Sequence, residues 1–297
     1  LGANTVTLTA TDPSNNSTTA TATVTVVDTT APTAVAQDIT VTLDANGAAT
    51  ITTADIDNGS SDNCSMSLFL NITSFSCDDL GTNEVNLIAL DSSGNQSEDT
   101  AIVTVVDDID PEFSSVPADI IIECDVDTTD TASTGGSATA TDNCDNNVEI
   151  TYTDSTVNGI GNNSVIIRTW IATDDSDNVS TEDQVITVVD TTNPTFTTSP
   201  ADIIIECDDN VEDLTLTGAA EATDNCDTDV TITYSDSIVN GIGNNSVITR
   251  TWTASDDNGN SSTYDQTVTV VDTTAPTAIA QDITVALDAS GAATITA

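Results

Sequence analysis

The sequence predicts an all-β chain built from tandem β-sandwiches. Val, Ile and Thr recur in short alternating runs, such as the run that closes on "TATVTVVD". Gly, Asn, Asp and Ser fill the gaps between these runs, as turns between strands require. No stretch sustains the 3.6-residue periodicity of a helix. Since the same pattern returns several times within 297 residues, one small sandwich is expected to repeat along the chain.

A Val-Val-Asp followed by proline marks each repeat. The aspartates are Asp28, Asp107, Asp190 and Asp272, with spacings of 79, 83 and 82 residues. Each spacing is slightly below the ~100 residues of an immunoglobulin domain. We predict whole repeats at 29–107 (repeat 1), 108–190 (repeat 2) and 191–272 (repeat 3), with the C-terminal part of a repeat at 1–28 and the N-terminal part of the next at 273–297. We therefore expect the sequence to be a segment of a longer protein.

Each repeat follows the same order of elements. A first strand such as "DITVTL" or "DIIIEC" comes after the proline, and an Asp-Asn-Cys follows it. A later strand then enters an acidic turn, as in "WTASDDNGN", and a last alternating strand closes the repeat. Repeats 2 and 3 are close copies that share "PADIIIECD" and "VNGIGNNSVI". Repeat 1 is a second subtype, and its opening "TAPTAVAQDITVTLDANGAATIT" is echoed at 274–296.

The charge of the chain excludes several functions. With 49 acidic residues, two arginines and no lysine or histidine, the formal net charge is -47. Such a chain lacks the cations that bind nucleic-acid phosphates or anionic membranes. No apolar run approaches the ~18 residues of a membrane span, so no membrane insertion is predicted. Without histidine a Ser-His-Asp or Cys-His centre is impossible, and we predict that the chain is not an enzyme. We interpret Arg168 and Arg250 as strand arginines, each paired with a carboxylate.

The order of these motifs resembles the hyalin-repeat (HYR) family and its bacterial relatives. In that family a proline-led strand, an Asp-Asn-Cys, a strand ending "A-x-D-x-x-G-N" and a final "V-x-V-x-D" follow one another; Trp170 and Trp252 stand where the family often has tyrosine. Similar repeats occur in giant secreted adhesins of Bacteroidota-type bacteria, including gliding and attachment adhesins exported by the type IX system. The resemblance implies tandem immunoglobulin-like β-sandwiches in an extended rod, on the cell surface, with a role in adhesion.

Six cysteines fall two to a repeat. They permit 15 pairings in principle. Because repeats 2 and 3 place their cysteines equivalently, we predict one disulfide inside each repeat: Cys64–Cys77, Cys124–Cys144 and Cys207–Cys226. Each would stabilise a small repeat by roughly 3 kcal/mol and indicates an oxidising compartment. A tetrahedral zinc site is the alternative, which two cysteines per repeat and no histidine disfavour.

The acidic turns predict either ordinary turns or calcium sites. In an immunoglobulin-like sandwich, the loop holding Asp-Asn-Cys and the turn of the last hairpin lie at the end where the chain enters. The Val-Val-Asp of the preceding repeat reaches the same junction. Ca²⁺ takes 6–8 oxygen ligands in flexible geometry, which suits several converging carboxylates. The predicted structural Ca²⁺ ligands are Asp28, Asp62, Asp91 and Asn95; Asp107, Asp142, Asp145, Asp174 and Asn178; and Asp190, Asp224, Asp227, Asp256 and Asn260.

A second surface feature is an Asp-Ser/Thr sequon that Bacteroidota-type secreted proteins use for O-glycosylation. Candidate sites are Thr29, Thr100, Thr128, Thr131, Ser155, Thr191, Ser237 and Thr273. Three of these follow a Val-Val-Asp, which would place sugars beside junctions.

These observations predict a structural stalk or filament segment of a secreted, extracellular, cell-surface adhesin. Its partners would be neighbouring repeats of the same long chain, with an unknown surface or glycan ligand bound elsewhere in the parent protein. One alternative is a glycan- or protein-binding repeat module. Such a module would use exposed aromatic side chains in its loops, and the chain has only nine aromatic residues, so this alternative is disfavoured. The other is a non-catalytic accessory region of a secreted enzyme, which the neighbouring sequence would reveal.

Overall fold

The computed structural model describes residues 1–296, and the regular secondary structure of this part of the chain is almost entirely β-strand. The all-β prediction is confirmed. Two one-turn helices, α1 (Thr53–Ile56) and α2 (Leu214–Thr217), and a 3₁₀ turn at Cys77–Asp79 interrupt the strands. Across the described residues, every helix is too short and too polar to traverse a bilayer.

The chain forms two compact units. The first comprises Leu1–Ile120, Asp127–Thr156 and Val165–Thr187; the second comprises Ile121–Val126, Val157–Ser164 and the described residues from Val188 onward. In the first unit the chain opens with an antiparallel hairpin of β1 (Gly2–Thr11) and β2 (Ser17–Val26). Asp12 closes its turn by accepting hydrogen bonds from the backbone N–H groups of Ser14 and Asn16.

Repeat 1 is a sandwich of two sheets in the first unit. Its strands are β3 (Ile39–Thr42), β4 (Ala48–Thr50), β5 (Met66–Leu70), β6 (Ser74–Ser76), β7 (Gly81–Asp91) and β8 (Gln96–Val106). The larger sheet has the order β3-β8-β7-β5, and β4 pairs with β6. Alternate residues of β7 and β8, including Val85, Leu87 and Val103, are buried against Phe75 and Ile56. This is the period-2 burial that the alternating sequence predicts.

Repeat 2 repeats the arrangement. Its strands are β9 (Glu112–Ser115), β10 (Ile120–Glu123), β11 (Thr139–Thr141), β12 (Glu149–Asn158), β13 (Ser164–Thr173) and β14 (Val179–Val189). The larger sheet has the order β10-β14-β13-β12, and β9 pairs with β11.

Repeat 3 lies in the second unit. Its strands are β15 (Thr195–Thr198), β16 (Ile203–Glu206), β17 (Glu221–Thr223), β18 (Thr231–Asn240), β19 (Ser246–Ser255) and β20 (Ser261–Val271). The larger sheet has the order β16-β20-β19-β18, and β15 pairs with β17. Its core contains Ile205, Ile248 and Val268.

The first strand of the larger sheet runs parallel to the last strand. In repeat 1, β3 pairs with β8 from Ile39 opposite Val103; in repeat 3, β16 pairs with β20 as far as Glu206 opposite Val271. The residue that follows the first strand therefore lies where the chain leaves the repeat. The Asp-Asn-Cys loop lies instead where the chain enters.

Candidate metal centre

Three aspartates converge where the chain passes from repeat 1 to repeat 2. We call Asp107, Asp142 and Asp174 the Asp107 cluster, since one carboxylate oxygen of each lies within 4.8 Å of the others. Asp107 follows β8, Asp142 opens the Asp-Asn-Cys loop after β11, and Asp174 follows β13. Asp107 and Asp174 are only 8% and 6% exposed. Carboxylates this close together and this buried repel one another unless a proton or a cation intervenes.

Hydrogen bonds fix the direction of the Asp174 carboxylate. Its Oδ1 accepts from the backbone N–H groups of Ser176 (2.9 Å) and Asn178 (2.8 Å). Its Oδ2 accepts from the Asn178 side-chain amide at 2.8 Å, and the same amide donates to the backbone oxygen of Asp107 at 3.2 Å. Asn178 thus ties the last hairpin of repeat 2 to the end of repeat 1.

The Asp142 carboxylate is only half satisfied. Its Oδ2 accepts from the backbone N–H groups of Asn143 and Cys144, but its buried Oδ1 has no hydrogen-bond partner. Burial raises the pKa of Asp142, and the nearby Asp107 and Asp174 raise it further. An unpaired buried oxygen facing two other carboxylates is an unfavourable arrangement until a cation coordinates it.

The same arrangement recurs where repeat 2 meets repeat 3. Asp190, Asp224 and Asp256 form the Asp190 cluster, again with oxygens within 4.8 Å of one another. Asp190 is 5% exposed, and its Oδ2 and that of Asp224 are buried without hydrogen-bond partners. Burial raises the pKa of Asp190, with further contributions from Asp224, Asp256 and Glu123. Asn260 donates to the Asp256 carboxylate at 2.8 Å and to the Asp190 backbone oxygen at 3.2 Å.

The entry to repeat 1 has a related group in which a cysteine takes part. Asp28, Asp62 and the Cys64 sulfur lie within 4.8 Å of one another, and Asp28 Oδ2 and Asp62 Oδ1 have no hydrogen-bond partner. Asp91 is 5% exposed and is held by the Asn95 amide, which also donates to the Asp28 backbone oxygen at 3.3 Å. A hydrogen bond to Asp28 raises the pKa of the Cys64 thiol.

Four predicted ligands lie next to the two clusters but outside them: Asn178, Asn260, Asp145 and Asp227. Asn95 is the equivalent of Asn178 at the entry to repeat 1. Asn178 and Asn260 orient the hairpin aspartates through their amide groups, and their role as direct ligands stays a prediction. Asp145 lines the cavity that Asp107 and Asp174 also line. Asp227 accepts from the backbone N–H of Asp257 at 2.9 Å, so it supports the turn that carries Asp256.

The disulfides join successive repeats, and the predicted pairing within each repeat is wrong. Cys77 of repeat 1 is bonded to Cys144 of repeat 2, with Cα atoms 5.2 Å apart. Cys124 of repeat 2 is bonded to Cys226 of repeat 3, with Cα atoms 5.9 Å apart. Cys64 and Cys207 are exposed free thiols. Each bond therefore crosses a junction next to an aspartate cluster.

The parallel pairing of first and last strands explains this correction. Cys124 and Cys207 directly follow β10 and β16, so they lie at the exit of their repeat, whereas Cys144 and Cys226 lie at the entrance. Repeat 1 has Leu43 where the other repeats have this cysteine, and Leu43 is buried in its core. In repeat 1 the cysteine that forms the bond to the next repeat is instead Cys77, in the 3₁₀ turn. Gly47, with φ of 69°, leaves room for it, because a side-chain Cβ there would overlap the Cys77 sulfur.

Glu123 and Glu206 were not among the predicted site residues. The Glu123 carboxylate accepts from the backbone N–H of Thr191 at 3.2 Å and from its hydroxyl, and Glu206 does the same for Thr273. Both glutamates brace the linker that follows a Val-Val-Asp. The repeated "IIIEC" beside each cysteine is the sequence signal that marks them.

Both arginines are buried within their repeats, and each pairs with a partly exposed aspartate, which confirms the interpretation from the sequence. Arg168 is fully buried and binds Asp154 through two hydrogen bonds of 2.8 Å; Arg250 binds Asp236 at 2.9 Å in the same way. Asp154 raises the pKa of Arg168. Since these are the only two basic side chains of the sequence, neither cluster is neutralised by a cation of the chain.

The predicted glycosylation residues lie mostly on the surface. Exposed residues are Thr29, Thr100, Ser155, Thr191, Ser237 and Thr273, whereas Thr128 and Thr131 are half-buried. Their modification stays a prediction.

Three solved structures align with the chain at low TM-scores. Drosophila N-cadherin EC1-3 is 14% identical, with 80% of this chain and 98% of that chain covered and a TM-score of 0.31. Mouse cadherin-23 EC22-24 is 15% identical, with 82% and 99% covered and a TM-score of 0.31. Protocadherin gamma B2 cadherin domains 1-5 are 15% identical, with 92% and 66% covered and a TM-score of 0.28.

No curated protein matches the chain. The model of the "HYR-like domain with 4 cysteines" matches residues 195–270, a segment that contains two cysteines, Cys207 and Cys226. Repeat 3 is therefore similar to an HYR-like domain, and repeat 2 shares its motifs, cysteine positions and strand order.

Proposed function

We propose that the chain is a stalk segment of a secreted bacterial cell-surface adhesin, in which Ca²⁺ stiffens the junctions between HYR-like repeats. The observation that carries this proposal is the pair of equivalent, buried aspartate clusters at successive junctions. Each draws one aspartate from the end of one repeat and two from loops at the entrance end of the next, the Asp-Asn-Cys loop and the turn of the last hairpin. A cation bound there links two repeats mechanically.

The donor set suits calcium. Each cluster offers carboxylate oxygens from three side chains, and backbone carbonyls and water would complete the 6–8 oxygens that Ca²⁺ takes. Mg²⁺ demands near-ideal octahedral geometry, which a cluster spread over three separate loops is less suited to supply. The unpaired oxygens of Asp142, Asp190 and Asp224 are the atoms that a cation would coordinate.

The adhesin context rests on the motif resemblance. Tandem disulfide-bonded repeats of this type fit an extracellular structural module, and the strongly acidic surface opposes lateral association of exposed strand edges. Attachment to a cell surface, a role in gliding, and export by the type IX system belong to this proposal.

Scattering and thermal melting test the proposal together. With millimolar Ca²⁺ we expect the maximum dimension and the melting temperature to exceed those with excess chelator. The Asp190→Asn variant is expected to lose part of both effects. Asp208→Asn removes the same charge at an exposed residue outside both clusters and serves as the matched control. Identical dimensions and melting curves in calcium and in chelator would rule out calcium stiffening.

A further inference from the structure

The exit end of repeat 3 has the same groups as the exit end of repeat 2, which binds a neighbouring repeat. Repeat 2 presents Cys124, Glu123 and the "NGIGNNS" loop at 158–164, and all of these contact residues of repeat 3 or its linker. Repeat 3 presents Cys207, Glu206 and the same loop at 240–246. Repeats 2 and 3 are close copies, so the two ends are directly comparable.

In repeat 2 the loop is a contact surface. The Asn162 amide donates to the backbone oxygen of Cys226, and the Asn258 amide donates to the backbone oxygen of Ile160 at 3.3 Å. Gly161, with φ of 61°, lies so near Asn258 that a Cβ would overlap its side chain. The Asp-Asn-Cys loop and the last turn of the following repeat both rest on this loop.

In repeat 3 the loop and the linker make the same internal hydrogen bonds as in repeat 2, but the outer surface of the loop is exposed. The backbone N–H of Asp272 donates to Asn245 at 2.8 Å, as that of Asp190 donates to Asn163. Thr273 is bound to Glu206 as Thr191 is bound to Glu123. Yet Gly243, with φ of 72°, has nothing near the position of a Cβ, and Ile242 is 93% exposed. Cys207 is exposed, whereas Cys124 is half-buried in its disulfide.

We infer that this end of repeat 3 is a docking site for a further repeat in tandem, and that Cys207 is its covalent anchor. The occupant is the Asp-Asn-Cys loop of an HYR-like repeat, whose cysteine bonds Cys207 and whose backbone carbonyl accepts from Asn244. The linker has the matching form, because "VVDTTAPT" at 270–277 corresponds to "VVDTTNPT" at 188–195. Since residues 274–296 echo the opening of repeat 1, the occupant's cysteine corresponds to Cys64.

The bond forms by oxidation of two thiols. Each thiol loses one proton and together they lose two electrons, which pass to a disulfide oxidant such as glutathione disulfide. That oxidant is reduced to two glutathione thiols by thiol–disulfide exchange.

The test extends the chain by one repeat. Residues 54–107 are appended after residue 297, so that 273–297 continue as 29–53 do in repeat 1. The protein is refolded in a glutathione redox buffer, alkylated without reduction, and mapped by mass spectrometry. We expect Cys207 to be bonded to the appended copy of Cys64, while Cys64 itself and the appended copy of Cys77 are alkylated.

Two bonds serve as internal controls. Cys77–Cys144 and Cys124–Cys226 must persist, which shows that the extended chain has folded. In the Cys207→Ser variant the appended copy of Cys64 is expected to become alkylated. Alkylated Cys207 beside intact control bonds, or Cys207 bonded to Cys226, would overturn the inference. The inference rests on the proposed tandem arrangement but not on calcium. Disulfide mapping in chelator therefore distinguishes a failure of the Cys207 bond from a failure of calcium binding.

Discussion

At the scale of single residues, Asp190 is the most constrained carboxylate at its junction. It is 5% exposed, has one oxygen without a partner, and faces Asp224 and Asp256. Its charge is therefore unfavourable without a cation and useful with one.

Asp190→Asn is expected to change stability in opposite directions with and without calcium. With Ca²⁺ at about 100 times its Kd, a bound ion adds about 2.7 kcal/mol, and the variant should lose much of this. In chelator at pH 7 the variant should melt at a higher temperature than wild type, because it removes the repulsion. Differential scanning calorimetry in both buffers measures the two shifts, and equal shifts of one sign would contradict this role.

The pH dependence follows from the raised pKa of Asp190. A raised folded-state pKa means that the protonated form is favoured on folding. Its stabilising contribution is present below the ordinary value of 3.8 and is lost as the pH rises through the folded-state pKa. In chelator, the advantage of Asp190→Asn over wild type should therefore shrink as the pH falls from 7 towards 3.8. An advantage that stays constant over this range would show that Asp190 is not the group responsible.

Asp154 holds the buried charge of Arg168, and its loss should be costly. Asp154→Ala leaves a fully buried guanidinium without its counterion, which costs about 3–5 kcal/mol. Asp183→Ala, at an exposed residue that binds only the Thr169 hydroxyl, should change the free energy of unfolding by about 0.5 kcal/mol or less. Urea unfolding of both variants makes the comparison, and equal midpoints would exclude a structural role for the pair.

At the scale of elements, the order of motifs in the sequence predicted the strands and the approach of the aspartates, but not the disulfide pairing. The strands follow from the alternation of apolar residues. The approach of Asp107 to Asp142 and Asp174 follows from knowing which loops share the entrance of a sandwich. The disulfides were mispredicted because equivalent spacing in repeats 2 and 3 is equally compatible with bonds within and between repeats. The parallel pairing of β16 with β20, which sends Cys207 to the exit, decides between them.

The Cys124–Cys226 bond and the Asp190 cluster share one loop. Cys226 follows Asp224 by two residues, and both cysteine sulfurs lie within 4.8 Å of an Asp190 oxygen. Breaking the bond should free the loop and weaken calcium binding at this junction. In a Cys124→Ser/Cys226→Ser variant we expect about a tenfold higher Kd, a loss of about 1.4 kcal/mol.

The matched comparison removes the other bond. Cys77→Ser/Cys144→Ser should weaken the Asp107 cluster and leave the Asp190 cluster unaffected. To measure each cluster alone, the other is disabled by an aspartate substitution before calcium is titrated. The affinities of the two clusters are then obtained separately. Unchanged affinity in both cysteine variants would show that the bonds and the clusters act independently.

At the scale of the whole molecule, the two disulfide loops overlap along the chain. The loop closed by Cys77–Cys144 spans 67 residues, the loop closed by Cys124–Cys226 spans 102, and both include residues 124–144. When repeat 2 is unfolded under tension, the shortest covalent path crosses the Cys77–Cys144 bond, follows the backbone from Cys144 back to Cys124, and crosses the Cys124–Cys226 bond. These bonds therefore limit how far the repeat can extend.

Force spectroscopy measures this limit. At ~3.5 Å per residue, an unfolded repeat of ~80 residues would extend by about 280 Å, whereas ~20 residues between the two bonds extend by about 70 Å. We expect repeat 2 to show the short extension when oxidised and the long one after reduction. Long extensions in the oxidised protein would mean that the two bonds do not carry the load.

Isothermal titration calorimetry measures directly whether the two aspartate clusters bind calcium. Calcium added to the chelator-treated, oxidised chain should bind at both the Asp107 and the Asp190 cluster. The Asp107→Asn/Asp190→Asn variant should lose the two corresponding sites, while Asp208→Asn keeps them. The same stoichiometry and affinity in all three proteins would show that the two clusters are not calcium sites.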